Sequence, residues 1–148
     1  MPHLPVKRVL LSLLLLATPA RAWDFTPTPV CTILHDTPML SICVTYDPAR
    51  PQPYAITLTR PDPWPVTDLF GPGFNGPAAM TIGADRHQLS PDARTLDVTD
   101  TGLGNVLDGL AFNATATALA GTTVVPFDLT GARPAVEAFR ACATVPSA

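Results

Sequence analysis

The segment GARPAVEAFRAC, residues 131 to 142, narrows the folds open to this chain more than any other. Ala132, Ala135, Val136, Phe139 and Cys142 recur every three or four residues and form one apolar stripe of a helix. Arg133, Glu137 and Arg140 lie opposite at ion-pair spacing, and Pro134 suits the first turn, where a missing N–H costs little. So short a helix is marginal alone in water. It must dock on a larger body, and its terminal cysteine offers a staple.

That body reads as strands. VCTILHD and MLSICVTYD alternate around Asp36-Thr37-Pro38, the pattern of a hairpin. A three-residue loop sets Leu34 opposite Leu40, Thr32 opposite Ile42 and Val30 opposite Val44, which gathers the apolar residues on one face. PYAITLTR supplies a third strand. RPDPWPVTDLFGPGFNGP follows, and its prolines lack the donor a central strand needs, so an edge or loop is expected there. An irregular strand over 68–74 should turn at Asn75-Gly76, a type I′ signal, and return as AAMTIG. Ser90-Pro91-Asp92-Ala93 is a type I turn joining DRHQL to TLDVTD. In GLGNVLDGL, the spacing of Val106, Leu107 and Leu110 predicts one helical turn, capped by Asn105 and ended by Gly109. ATATALAG and TTVVPFDL are two more strands, with Pro126 placing the last at an edge or bulge.

At the other end, Lys7 and Arg8 precede the apolar run VLLSLLLLA and the small-residue site Ala20-Arg21-Ala22. This is the pattern of a signal peptide cleaved after Ala22, with an apolar stretch well short of the roughly 20 residues of a membrane span. Residues 23–148 then form a single exported β-rich domain. The leader takes Lys7, Arg8 and Arg21 from nine basic residues, leaving six arginines against twelve acids, a net charge of −6. A nucleic-acid binder needs the opposite footprint, and an anionic membrane surface is disfavoured for the same reason.

Cys31, Cys43 and Cys142 all follow the leader, where oxidation is permitted, and three cysteines allow one internal bridge. Closing 31 to 142 is worth about 4.7 kcal/mol on the chain-entropy model, against roughly 3 for 31 to 43, too small a difference to decide. In the expected register Cys31 faces Cys43 across the hairpin. The need of the terminal helix for attachment argues instead for Cys31 with Cys142, the preferred pairing, and leaves Cys43 a buried thiol that no nearby base activates.

No nucleotide-binding glycine loop, HExxH or paired CxxC occurs. His35 and His87 are the two histidines after the leader, and nothing in their spacing joins them with an aspartate into a metal site. His35-Asp36 reads as a solvated turn. Ser41 or Ser90 with His87 would be the material of a hydrolytic triad, but neither serine stands in an elbow context. Asp97, Asp100 and Asp108 lack a calcium-loop pattern, and Asn113-Ala114-Thr115 matches a glycosylation sequon. Binding flavour is confined to the proline-rich loop. Trp64, Phe70 and Phe74 are the candidate binding residues there, on a segment that proline stiffens. The competing reading, that these rings fold back over the open end of the core, carries more weight.

The ordered set CTILHD, YDPARPQPYAITLTR, ADRHQLSPDARTLDVTD, GLGNVLDGLAFNATATA and GARPAVEAFRAC resembles a group of small exported proteins of alphaproteobacteria, Rhodobacter relatives in particular. The likeness spans nearly all of the chain after the leader, and it implies that Cys31 and Cys142 are the shared pair and Cys43 a departure. Some members are called a component of the excinuclease ABC repair complex. That name does not fit, because a helicase-like repair protein needs a phosphate-binding loop with lysine and a basic DNA-facing surface. A fainter likeness, to invasion-associated locus B-like periplasmic proteins, concerns the small secreted β format.

The expected fold is mostly β: a sandwich or flattened barrel of about eight or nine strands, one helical turn near Asn105 and a docked C-terminal helix. The expected function is that of a non-enzymatic, monomeric periplasmic binding or accessory module, without cofactor or metal, that engages a protein or envelope component through the loop around Trp64. An inhibitor of a periplasmic hydrolase is the alternative, and an unrecognised hydrolase using His87 a third.

Overall fold

The computed structural model describes residues 23–144, so the leader and its cleavage site lie outside the described residues. Ten strands form two antiparallel sheets: β1 (Asp24–Thr26), β2 (Cys31–Asp36), β3 (Ser41–Tyr46), β4 (Tyr54–Thr59), β5 (Phe70–Asn75), β6 (Met80–Thr81), β7 (Gln88–Leu89), β8 (Thr95–Asp100), β9 (Thr115–Ala120) and β10 (Thr123–Asp128). One sheet has the order β1-β2-β3-β4-β8-β7 and the other β10-β9-β5-β6. Neither closes into a barrel, so the sandwich form of the expected fold holds, with β1 added. Two helices, α1 (Gly104–Phe112) and α2 (Ala132–Thr144), complete the described residues.

Alternation builds the core. Ile33, Ile42, Val44, Ile56, Leu58, Leu96 and Val98 line the inner face of the larger sheet, and Phe70, Phe74, Ala116, Ala118 and Ala120 that of the smaller. The register sets each ring beside a small neighbour, Phe70 opposite Ala120 and Phe74 opposite Ala116. All join one apolar cluster with Val136 and Phe139 of α2. The Ser90 turn forms as expected, with Ala93 N–H donating to the Ser90 carbonyl at 2.8 Å. Pro126 sits on β10, an edge strand.

The first hairpin corrects the expected register. Its loop spans four residues, and Thr37 closes it, donating its amide and hydroxyl to the Leu40 carbonyl and accepting the Leu40 amide. Asp36 therefore faces Ser41, Leu34 faces Cys43 and Cys31 faces Tyr46. An odd shift exchanges the two faces. Leu34 is turned outward at 40% exposure and His35 inward at 5%, so Cys31 and Cys43 lie on opposite sides of the sheet. The bridge joins Cys31 to Cys142, with 6.0 Å between Cα atoms across a sequence separation of 111. Cys43 is half-buried on the outer face rather than in the core.

Three smaller expectations also change. Phe70–Asn75 is an interior strand between β9 and β6, and Pro72 within it accepts the Ile82 amide at 2.9 Å through its carbonyl. Asn75-Gly76 does not make a two-residue hairpin, since Phe74 pairs with Met80. Gly76 has φ 149°, and a Cβ there would meet the Ala114 nitrogen at 2.8 Å. The helix after Gly102 runs nine residues with Leu103 at its N-cap and no side-chain cap, so Asn105 does not cap it and Gly109 does not end it.

Gly109 is instead where α1 meets the smaller sheet. A Cβ built there runs into the buried ring of Phe74. On an exposed helix Gly→Ala stabilises by roughly 1 kcal/mol, but overpacking costs about 1–3 kcal/mol. Gly109→Ala is therefore expected to destabilise the protein in chemical denaturation by about 1 kcal/mol or more, and Phe74→Leu in the same chain to recover part of that loss.

Candidate functional site

The structure places the three expected binding aromatics inside the molecule. Trp64 is 2% exposed, and Phe70 and Phe74 are equally buried. Trp64 donates its indole N–H to the Leu58 carbonyl at 3.1 Å and its amide to the Ala93 carbonyl at 2.7 Å. The Arg60 guanidinium lies 5.0 Å from its ring centre, and Phe70 meets it edge-on. These rings anchor the loop and are not surface contacts. What the loop presents to solvent is Val66, 91% exposed, and Leu69, 56% exposed.

One of the three reaches a cavity. Phe70, Ile56, Ile82, Val98, Leu103 and Val106 floor a cleft of about 280 Å³ between the two sheets on their β8 and β6 side. Gln52, Asp85, Arg86, Thr99 and Asp100 form its rim. The cleft exists because the edges there are unfinished. After β6 the chain stays on the smaller sheet as far as Ala84, which exchanges hydrogen bonds with Phe70, then crosses to the larger sheet and pairs as β7 with Leu96 and Asp97 alone. An apolar floor with a few convergent polar groups is the usual form of a binding site, and this one is at the small end of the range. No sequence signal marked it beyond the shortness of AAMTIG and DRHQL around Gly83.

A shallower groove of about 650 Å³ runs beside the disulfide, between Phe25, Val30, Tyr46, Ala138 and Ala141. Tyr46 alone among its lining residues has a polar side-chain atom, so it has little with which to orient a ligand.

The other candidates are dispersed. His35 is not a solvated turn residue: its ring stacks on Trp23 at 4.2 Å and 7°, and Trp23 in turn donates its indole N–H to the Asp128 carbonyl. His87 belongs to a different part of the fold, with its ring 6.3 Å from that of Phe70. Ser90 spends its hydroxyl within its own turn, donating to Asp92 at 2.6 Å and accepting the Thr95 amide. Ser41 stands on the outer face of β3 beside Thr59. Among the described residues, no three His, Cys, Asp or Glu side chains gather as a metal site. Asp108 pairs with Arg140 of α2 at 2.6 Å. The sequon residue Asn113 uses both amide hydrogens on the Ala78 and Gly109 carbonyls and accepts the Ala78 amide, so its side chain fastens the 76–79 turn to α1. Burial pushes the Cys43 thiol up, away from thiolate reactivity.

Scans of the chain against protein-family models, curated proteins and solved structures return no match.

Burial holds the His35 imidazole below its ordinary 6.5, against the opposing pull of Asp128 and Asp36. A lowered folded value means that the unfolded chain binds the proton more readily. The contribution of His35 is thus complete above pH 6.5 and is lost as pH falls below it towards the folded value. His35→Phe keeps a flat ring against Trp23 and removes the titration. Denaturation midpoints measured between pH 7.5 and 5 are expected to fall less steeply in this variant than in the parent.

Proposed function

We propose that this chain is an exported binding module of the type it resembles, delivered by its leader to the periplasm and engaging a protein or envelope component through the cleft beside β8. The observation that carries this reading is the cleft itself, with an apolar floor and a polar rim held between two sheets that a disulfide and two helices fix elsewhere. Export is supported by the disulfide and by the pattern of residues 1–22, and among the described residues no helix is long and apolar enough to cross a membrane. The partner surface moves from the Trp64 ring, which is buried, to the opening that Phe70 floors.

A second reading rests on the loop. Val66 projects from a segment tethered at both ends by buried aromatics, Trp64 and Phe70, and stiffened by Pro61, Pro63 and Pro65. A stiff convex loop with an aliphatic tip suits the concave site of a hydrolase, and preorganisation lowers the cost of binding. This is the inhibitor alternative with its contact residue reassigned to Val66.

One experiment separates them. The chain is expressed with its own leader in an alphaproteobacterium, carrying a photo-crosslinking residue at Arg86, Val66 or, as the distant control, Val124. Adducts are expected in the periplasmic fraction from position 86, on protein whose first residue is Trp23, and Ile82→Trp should reduce them about tenfold by filling the cleft. Adducts from position 86 no stronger than from 124, or unmoved by Ile82→Trp, would overturn the cleft reading. For the loop, Val66→Asp is expected to abolish inhibition of an endopeptidase with a small aliphatic specificity pocket, and a panel of such enzymes left untouched by the parent protein retires that reading.

A further inference from the structure

The cleft is bordered on its long sides by backbone with hydrogen bonds left to make. On β8, the Thr95 carbonyl accepts from Ser90 on the side away from β4, so strand alternation turns the amide and carbonyl of Thr95, Asp97 and Thr99 that way. β7 covers Leu96 and Asp97 and goes no further. Thr99 therefore turns towards the cleft a donor and an acceptor that pair with nothing among the described residues. Across the opening, Ile82 donates to Pro72 and Ala84 exchanges bonds with Phe70, which leaves the peptide groups of Gly83 between them turned away from β5.

Such a slot answers to an extended chain, because exposed edges pair with strands and side pockets then read alternate residues. A strand added antiparallel along Thr99, as every neighbour in this sheet is, sets one residue opposite Val98 and another, two positions earlier, opposite Asp100. The residue opposite Val98 points over the apolar floor, where about 280 Å³ takes a side chain rather than a whole cofactor. The residue opposite Asp100 meets a carboxylate that, among the described residues, accepts only from Thr101 and has no cation partner. The facing rim carries one acid and one base, Asp85 and Arg86, so with Asp100 the formal charge of the rim is −1. We propose that the cleft takes an extended peptide segment by strand addition on Thr99, reading a lysine or arginine and, two residues later, an aliphatic side chain. This rests on the binding-module reading and names its ligand.

The test titrates the full disulfide-bonded chain, followed by amide NMR, with a blocked tetrapeptide carrying arginine second, threonine third and leucine last, so that no residue falls opposite Asp97, where Gln88 already pairs. Shifts are expected at Thr99 and Gly83. N-methylation of the central peptide amide should weaken binding about tenfold, the worth of one lost hydrogen bond of average to high strength. Arginine replaced by glutamate should weaken it by a similar factor, and Asp100→Lys should reverse that preference. Equal binding of the N-methylated peptide, an Asp100→Lys protein that still prefers arginine, or no shift at Thr99 with any peptide overturns the strand inference. Octanoate separates the two levels. If it perturbs Ile82, Val98 and Val106 where the peptide does not, the cleft binds and only the peptide is wrong; if neither ligand does, the binding-module reading falls as well.

Discussion

A helix of thirteen residues is marginal by itself in water, and α2 is held here because its apolar stripe is committed to the sheet while Cys142 is bonded to the first residue of β2. Joining positions 111 residues apart removes a large share of the freedom of the unfolded chain, about 4.7 kcal/mol on the entropy model. The bridge also settles geometry. It brings the last element back over the first strands, so Ala135, Val136 and Phe139 cover the β1 and β2 side of the larger sheet and the opposite side is left to be covered by something else.

That something is α1, and it covers the opposite side only in part. α1 is wedged between α2 and β5, held by Arg140, which donates to Asp108 at 2.6 Å and to the Gly104 carbonyl at 3.3 Å, and by the contact of Gly109 with Phe74. A residue larger than glycine would lift the helix from the sheet. Leu103 and Val106 at the start of α1 then form the end wall of the cleft rather than filling it. The opening is thus what remains after two helices, fixed to each other and to the disulfide, have closed the rest of the core.

Legibility from sequence follows the range of the physics involved. Local rules give every strand but β1, the Pro134 start of α2 and the Ser90 turn, because alternation, helical period and turn chemistry each act within a few residues. The register of the first hairpin was not available in that way. Choosing between Leu34 and His35 as the inward residue depends on Trp23, whose ring covers the imidazole, and on Asp128, whose carbonyl holds Trp23 from 105 positions away. Apolar count alone favoured Leu34, and tertiary stacking overrode it. Gly109 read as a helix end because a ring from Phe74 is invisible to helix rules, and Pro72 read as a loop residue although an interior strand accommodates it by using its carbonyl. The cleft was least legible of all. Its walls are peptide groups at Thr99 and Gly83, which no side-chain motif announces, and the aromatic residues that did stand out serve to anchor the loop.

The remaining edges show why the one at Thr99 is informative. An exposed edge invites unwanted pairing, and proteins usually blunt it. β10 carries Pro126, β1 is cut to three residues beside the disulfide groove, and β6 is two residues long. β8 is different, a full six-residue strand whose outer side is covered at Leu96 and Asp97 and bare beyond. The bare part adjoins an apolar recess on one side and ends at an acidic residue on the other. Had the fold needed only to protect this edge, β7 extended by two residues would have done so at the cost of closing the cleft. Instead the chain leaves Ala84 through a bend at Asp85 and joins β8 only at Gln88, and the resulting gap combines unpaired backbone, an apolar floor and a carboxylate that pairs with no cation among the described residues, the three elements by which an extended partner is held and selected.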